Sequence, residues 1–299
     1  RGYAPLTICK NCGHRLSCPH CTAWLVEHKK TGKTQCHHCG FHAPLPKECP
    51  DCHEHDTWRA CGPGVERISE EVSMLFPQAR LMTLSSDHIE SPKQIADALQ
   101  KIKNNEVDII IGTQILAKGH HFPDLTTVGI VDSDIAAAGE LRSAEKAFQL
   151  LQQVAGRAGR AEKKGTVYAQ SFAPETPVLE AFVKGDRDAF FEAELQERET
   201  AFMPPFSRLA AIIVADKDES ALKKLCQELA SKAPQSERVT ILGPAPAMLY
   251  RLRGLYRMRF LIRADKRANI NKLIRDWLDC VKIPSRTKVQ IDIDPLSFY

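Results

Sequence analysis

The chain has 299 residues, of which 43% are hydrophobic and 26% charged, and a net charge of +4. That balance excludes a disordered chain, and no apolar run approaches the ~18 residues of a membrane span. No charged-then-apolar leader opens the sequence, so a cytosolic setting is expected. The start RGYAPLTICK lacks an initiator methionine and points to a chain cut from something longer. Charge is unevenly spread: residues 201–299 carry 18 Lys+Arg against 10 Asp+Glu, a net of +8, which leaves −4 for residues 1–200. A basic C-terminal third fits a polyanionic partner, although charge alone fits a solvated basic surface equally well.

Residues 1–55 hold eight of the eleven cysteines, as the pairs Cys9/Cys12, Cys18/Cys21, Cys36/Cys39 and Cys49/Cys52. A C-x-x-C pair brings two thiolates to one ion from a tight turn, and two pairs complete a tetrahedral site. Eight sulfurs therefore predict two closed four-sulfur Zn²⁺ sites. Disulfides would be strained within such pairs, and paired turns suit mononuclear sites better than an iron–sulfur cluster. Sequential, crossed and nested pairings all satisfy the ligand count. His20, His37, His38, His53 and His55 are surplus to it, and Cys61, Cys226 and Cys280 read as ordinary thiols. With few apolar residues of its own, this segment should depend on its metals for folding.

From Thr57 strands and helices alternate. TWRACG reads as a strand, VERISEEVSMLF as an amphipathic helix, ARLMTL as a strand and PKQIADALQKIK as a second helix opened by Ser91-Pro92. VDIIIGT and TTVGIVDSD are apolar runs of buried-strand length, SAEKAFQLLQQVAGRAGR is a helix, and GTVYAQSF is a last strand. This order predicts a parallel sheet covered on both faces. Residues 174–203 read as connecting helices ending at MPPF, and residues 204–299 as a small α+β unit with strands RLAAIIVAD, YRMRFLIRA and KVQIDID and two helices.

Nucleotide chemistry is signalled incompletely. Gly32-Lys33-Thr34 copies the tail of a phosphate-binding loop, but Glu27 stands where its first glycine belongs; a hairpin tip between cysteine pairs is the better reading. VGIVDSD imitates a magnesium-binding strand, yet without a phosphate loop neither Asp132 nor Asp134 can be assigned to the ion. QQVAGRAGR presents Arg157 and Arg160, each straight after a glycine. YRLRGLYRMRF interleaves Arg251, Arg253, Arg257 and Arg259 with Tyr250 and Tyr256. Cations of that kind track phosphates while aromatics stack on bases, at about 1–3 kcal/mol per stacked base. A hairpin with one basic face and its aromatics in the core is the plainer alternative.

Together these motifs resemble a known family. QVAGRAGR is similar to motif VI of superfamily 2 helicases and IGTQILAKGHHFPDLTTVGIVDSD to their motif V. With eight zinc-ligand cysteines ahead of the lobe, and with GYAP, MPPF and DIDPLS, the chain resembles the bacterial primosomal protein N′ family of replication-restart helicases. The resemblance implies an ATP-dependent 3′-to-5′ DNA helicase with an α/β fold: a RecA-like second motor lobe carrying a two-zinc insertion, followed by an α+β C-terminal domain. It places the zinc module at 1–55, the lobe at 56–173, connecting helices at 174–203 and a DNA- and partner-binding domain at 204–299. It also implies that the first lobe, with the phosphate loop, lies upstream, so that this chain alone does not hydrolyse ATP.

The family pattern favours the nested pairing, Cys9, Cys12, Cys49 and Cys52 on one Zn²⁺ and Cys18, Cys21, Cys36 and Cys39 on the other. It assigns Arg157 and Arg160 to the γ-phosphate of ATP, a role that can contribute on the order of 10³-fold in rate. Gln153 then couples that site to the lobe interface, Gly119 reports the nucleotide state, and ATP and Mg²⁺ are held mainly by the missing lobe. Thr113 is assigned to the DNA backbone and Lys118, with Gly119, to the loop facing the DNA groove; Arg251, Arg253, Tyr256, Arg257 and Arg259 of the basic stretch are the further expected DNA contacts. Pro63 and Val65 stand where the family carries hydroxyl residues. The implied partners are stalled or branched forks and single-stranded DNA, primosome proteins, the single-stranded-DNA-binding protein (whose acidic tail could meet Lys266 and Arg267) and the machinery that loads the replicative helicase, in a bacterial cytoplasm. A non-enzymatic zinc-dependent DNA-binding scaffold is the alternative reading, and two cleft-facing arginines weigh against it.

Overall fold

The computed structural model of the chain describes residues 6–28, 32–61, 64–84, 91–113, 122, 124–134, 142–159 and 165–297. They form two compact units, one from Arg1–Cys18, Trp24–Ala138 and Ala144–Phe182, the other from Pro19–Ala23, Gly139–Ser143 and Val183–Tyr299. No helix among the described residues is long and apolar enough to cross a membrane.

The first unit opens with short strands. β1 (Leu6–Cys9) and β5 (Trp58–Cys61) pair antiparallel, with Cys9 opposite Trp58. TWRACG is thus a strand as expected, but its partner is the strand bearing the first cysteine, not a parallel neighbour in the lobe. Between them β2 (Val26–His28), β3 (Lys33–Gln35) and β4 (His42–Pro44) form a three-stranded antiparallel sheet. Among the described residues of this stretch the buried apolar side chains are Leu16, Leu25 and Val26, together with five cysteines: Cys9, Cys18, Cys21, Cys36 and Cys49. Sulfur fills the place that aliphatic carbon fills elsewhere.

The α/β part follows with α1 (Val65–Leu75), β6 (Leu81–Leu84), α2 (Pro92–Lys103), β7 (Ile109–Gly112), β8 (Thr127–Ile130), α3 (Ser143–Ala155) and β9 (Thr166–Ala169). β6 pairs parallel with β7, and β8 parallel with β9, as strands joined through helices must. α2 begins at a capping box: the Ser91 hydroxyl accepts the Gln94 N–H at 3.3 Å, and the Gln94 side chain accepts the Ser91 N–H at 3.2 Å. At the entry to β6 and β7 the Arg80 guanidinium clamps Asp108 through both carboxylate oxygens, 2.7 and 2.9 Å, and holds that carboxyl well below the usual range.

α4 (Pro177–Lys184) closes the first unit, which ends at Phe182, and in the second unit α5 (Arg187–Thr200) is capped by Asp186, whose carboxylate accepts the Ala189 N–H at 2.9 Å. A four-stranded antiparallel sheet, in the order β11-β12-β10-β13, then carries the core: β10 (Arg208–Asp216), β11 (Val239–Leu252), β12 (Leu255–Ala264) and β13 (Lys288–Ile293). α6 (Glu219–Ser231) and α7 (Ile270–Asp279) supply Leu222, Leu229, Ile274 and Trp277 to a cluster with Ile212, Phe260 and Ile262. The Trp277 ring meets Phe260 edge-on at 5.3 Å, and its buried N–H is satisfied by the Leu229 carbonyl at 2.9 Å. β11 went unpredicted because Gly243, Pro244 and Pro246 interrupt its pattern; in the sheet they sit at irregularities between Leu242 and Ala245 and between Pro246 and Arg251.

Candidate functional site

The eight paired cysteines assemble into two groups, Cys9 with Cys12, Cys49 and Cys52, and Cys18 with Cys21, Cys36 and Cys39. The structure therefore gathers the thiols in the nested order. Within each group every sulfur lies within 4.8 Å of the others. Cys9 and Cys52 are 3.7 Å apart, Cys12 and Cys49 3.7 Å, and Cys18 and Cys39 3.6 Å. A disulfide needs about 2 Å, whereas a tetrahedron of thiolates at about 2.3 Å from Zn²⁺ has edges of about 3.8 Å. The spacing therefore fits a mononuclear tetrathiolate site, and Cys18, Cys21, Cys36 and Cys39 would hold one Zn²⁺ as the other four would hold its counterpart.

The protonation chemistry of the first group points the same way. Burial raises the Cys9 thiol, but the Thr57 hydroxyl and the N–H groups of Cys12 and Asn11 overcome it and bring it down to about 6. At Cys12 the His14 N–H acts to lower, while desolvation and the thiols of Cys52, Cys49 and Cys9 override it and push it up to about 12. Four thiols this close cannot all ionise unaided, and a dication replaces the protons they would otherwise keep. The surplus histidines have other work: His53 sits 2.6 Å from Glu48 and the rings of His28 and His37 pack at 5.3 Å. At the Gly32-Lys33-Thr34 decoy, His28 pairs with Lys33 across β2 and β3, and the buried Thr34 hydroxyl donates to the Ala43 carbonyl at 3.1 Å.

The arginine-bearing segment begins where α3 ends. Gly156, Arg157 and Ala158 close the last turn through the carbonyls of Gln152, Val154 and Ala155. Gly159 then turns away with φ 63° and donates to Leu125, just ahead of β8, at 2.9 Å. Gly165, leading into β9, packs so closely that a Cβ there would stand 2.4 Å from the Ala158 carbonyl carbon. Arg157 is thus carried on a turn pinned from both sides, half-buried, with Gln153 one turn back on an exposed face of α3. Thr113 follows the end of β7; Lys118, Gly119 and Arg160 lie outside the described residues. Asp134 accepts the Ser171 hydroxyl at 2.6 Å and the Phe172 N–H at 2.7 Å, which lowers its pKa and ties the ends of β8 and β9 together.

The basic hairpin is a hairpin, formed by β11 and β12. Arg257 is buried, with one hydrogen bond to the Leu249 carbonyl at 3.4 Å, and desolvation lowers its pKa. Arg251 stacks over the Tyr256 ring at 5.3 Å, and its guanidinium donates to the Pro19 carbonyl at 2.9 Å. Tyr250 packs on Tyr256 and donates its hydroxyl to Glu219 at 2.8 Å. Arg253 occupies the turn, and Arg259 is half-buried on β12. Lys266 lies over the Phe206 ring at 5.9 Å.

Three parts of the chain match known families. Residues 18–44 match the PriA DNA helicase Cys-rich region (CRR) domain, residues 65–162 the helicase conserved C-terminal domain, and residues 199–296 the primosomal protein N C-terminal domain. The replication restart protein PriA of Rickettsia prowazekii is 48% identical over 300 residues, covering 100% of this chain and 46% of the relative. The chain belongs to the PriA family. PriA of Treponema pallidum is 34% identical over 302 residues, covering 99% of the chain and 45% of the relative, and that of Bacillus subtilis 31% over 301 residues, covering 99% and 37%. The chain thus spans less than half the length of these PriA relatives.

Sequence reading missed several residues around these PriA-family motifs. Thr57, whose hydroxyl is 3.1 Å from the Cys9 sulfur, belongs to no motif. Nor do Leu125 and Gly165, which fix the Arg157 turn from distant positions; a glycine beside a charged run carries no signal of what it packs against.

Proposed function

We propose that this chain is the zinc-bearing second motor lobe and C-terminal domain of an ATP-driven DNA helicase that translocates 3′ to 5′ and serves replication restart and primosome assembly. The observation that carries this reading is the helicase-type lobe over residues 65–162, with α3 delivering Arg157 on a turn anchored by Gly159 and Gly165. A charge that must act across a cleft at a developing phosphate charge needs a rigid seat, since catalysis of phosphoryl transfer is mostly positioning and electrostatics. In this reading Arg157 and Arg160 meet the nucleotide, Gln153 couples that site to the lobe interface, Lys118 and Gly119 report its state to the DNA groove, and Thr113 touches the DNA backbone. ATP and Mg²⁺ are held mainly by the other lobe. In the C-terminal domain Arg253, Tyr256 and Arg259 contact single-stranded DNA, while the buried Arg257 fixes the strand that presents them. The partners are branched or stalled forks, primosome proteins and the single-stranded-DNA-binding protein.

Substituting Arg157→Ala in the whole protein tests the reading. DNA-stimulated ATP hydrolysis should fall on the order of 10³-fold with zinc content and DNA affinity retained. Hydrolysis within a few-fold of the unsubstituted protein would remove Arg157 from the nucleotide site. Unwinding of 3′-tailed but not 5′-tailed duplexes is the expected polarity. A protein that binds DNA and zinc without hydrolysing ATP would favour the scaffold alternative.

A further inference from the structure

Three of the four C-x-x-C turns close on themselves. The residue after the second cysteine donates its N–H back to the carbonyl of the first: Gly13 to Cys9 at 2.9 Å, Gly40 to Cys36 at 2.9 Å and His53 to Cys49 at 3.0 Å. Each of those residues takes a left-handed backbone, with φ 77°, 81° and 59°. The fourth turn, Cys18-Pro19-His20-Cys21, is followed by Thr22. A β-branched residue resists positive φ, and the Thr22 N–H goes elsewhere. It donates to the Arg251 carbonyl at the tip of the β11–β12 hairpin, at 2.8 Å.

The rest of the loop is held from the same place. The Arg251 N–H donates to the Thr22 hydroxyl at 2.9 Å, and the Arg251 guanidinium to the Pro19 carbonyl at 2.9 Å. Two consecutive hairpin N–H groups point at the loop: Gly254 donates to the His20 carbonyl at 3.0 Å and Arg253 to the Cys21 sulfur at 3.4 Å. That pair is aimed by the two-residue turn Arg253-Gly254, whose φ values of 51° and 80° are the paired left-handed conformations a tight hairpin requires. Residues Pro19–Ala23 and the hairpin fall in one compact unit, although more than 200 residues separate them in sequence.

We infer that the tip of the β11–β12 hairpin completes the fourth cysteine turn: it donates the Arg253 N–H to the Cys21 thiolate and holds the 19–22 loop in ligating geometry, so that Zn²⁺ at Cys18, Cys21, Cys36 and Cys39 is kept by residues of the C-terminal domain. The inference rests on zinc occupying that group. An N–H on a metal-bound thiolate withdraws charge from a site that carries four thiolates against one dication, and outer partners of this kind typically matter 10- to 100-fold in affinity. The other group contains two self-closed turns and needs no such donor. The hairpin therefore makes the two sites unequal.

The test uses the full chain. Zinc is counted first: fewer than two ions per chain would defeat the zinc reading itself, separately from the hairpin. With two ions present, a chelator is added and alkylation of each cysteine is followed by peptide mapping. Two variants undock the tip by different routes, Gly254→Val, which forces a β-branched residue into φ 80°, and Thr22→Val with Arg251→Ala, which removes side-chain bonds only. Gly254→Asn keeps the turn, and no atom lies within 4 Å of its new Cβ. Both undocking variants should speed modification of Cys18, Cys21, Cys36 and Cys39 about 10-fold, with Cys9, Cys12, Cys49 and Cys52 and the Gly254→Asn chain within about twofold of the unsubstituted rate. Unchanged rates in both undocking variants overturn the inference. So does equal acceleration of the two groups, or a Gly254→Asn chain that behaves like Gly254→Val. Should Gly254→Val fail to fold, the double variant decides alone.

Discussion

The cysteine-rich segment and the C-terminal sheet solve one problem with different materials. From β1 to β5 the buried apolar side chains among the described residues are three aliphatic residues and five cysteines, and the strands are three or four residues long. In the C-terminal unit β10 alone is nine residues long, buried from Leu209 to Asp216, and packs with Phe260 and Trp277 under two helices. The first region has too little carbon to offset the entropy of ordering its backbone, and coordination at its two four-cysteine clusters would make up the difference. The second has enough. Metal should therefore control the stability of one region and barely touch the other.

The largest effect that would break this contrast is at the cysteines. Cys36→Ser removes one of four thiolates from a fully buried position, in a site type whose metal contributes on the order of 10 kcal/mol of folding energy. The segment should lose zinc and become protease-sensitive between β1 and β5, while the C-terminal unit keeps its melting transition. Unaltered proteolysis with one zinc lost would mean that the segment folds without that metal. Next comes Trp277→Ala, expected to destabilise the C-terminal unit by about 3–5 kcal/mol in denaturant while zinc content stays unchanged. Zinc loss from the Cys9, Cys12, Cys49 and Cys52 group in that variant would break the contrast.

A smaller effect is expected at Asp216, a buried carboxylate that accepts the Asp218 N–H at 3.0 Å and the Thr287 hydroxyl at 2.6 Å, with Arg286 at 3.4 Å. Those bonds, the Asp218 N–H first, depress its pKa below the unfolded value near 3.8. Its contribution is therefore complete above that value and is lost as pH falls through the lower folded pKa. Asp216→Asn should cost about 1–3 kcal/mol at neutral pH and flatten the acid limb of the melting curve below about pH 4. An acid limb identical to that of the unsubstituted chain would assign the sensitivity to another group.

These differences also explain what could be read in advance. C-x-x-C spacing is a local constraint of the metal, so the eight clustered cysteines were legible residue by residue; spacing alone allowed three pairings, and the family resemblance supplied the nested one in which the structure gathers them. The helix and strand order of the lobe followed from periodicity, but TWRACG was joined to the wrong neighbour because an antiparallel partner 50 residues earlier leaves no mark on a four-residue run. β11 escaped notice because its two irregularities carry Gly243, Pro244 and Pro246, residues that usually end strands. The arginine turn was visible as a motif, whereas its supports at Leu125 and Gly165 were not. Charge and aromatic spacing marked Arg251 as a cation of the hairpin but carried no sign that its guanidinium bonds the Pro19 carbonyl.

The most direct measurement is peptide-resolved amide hydrogen exchange of the full chain with and without chelator. Metal removal should abolish protection in β1 to β5 and at the Thr22 and Gly254 amides, and leave β10, β12 and α7 protected as before. Protection lost together in both regions, or unchanged in the cysteine-rich one, would contradict the division of labour between metal and core.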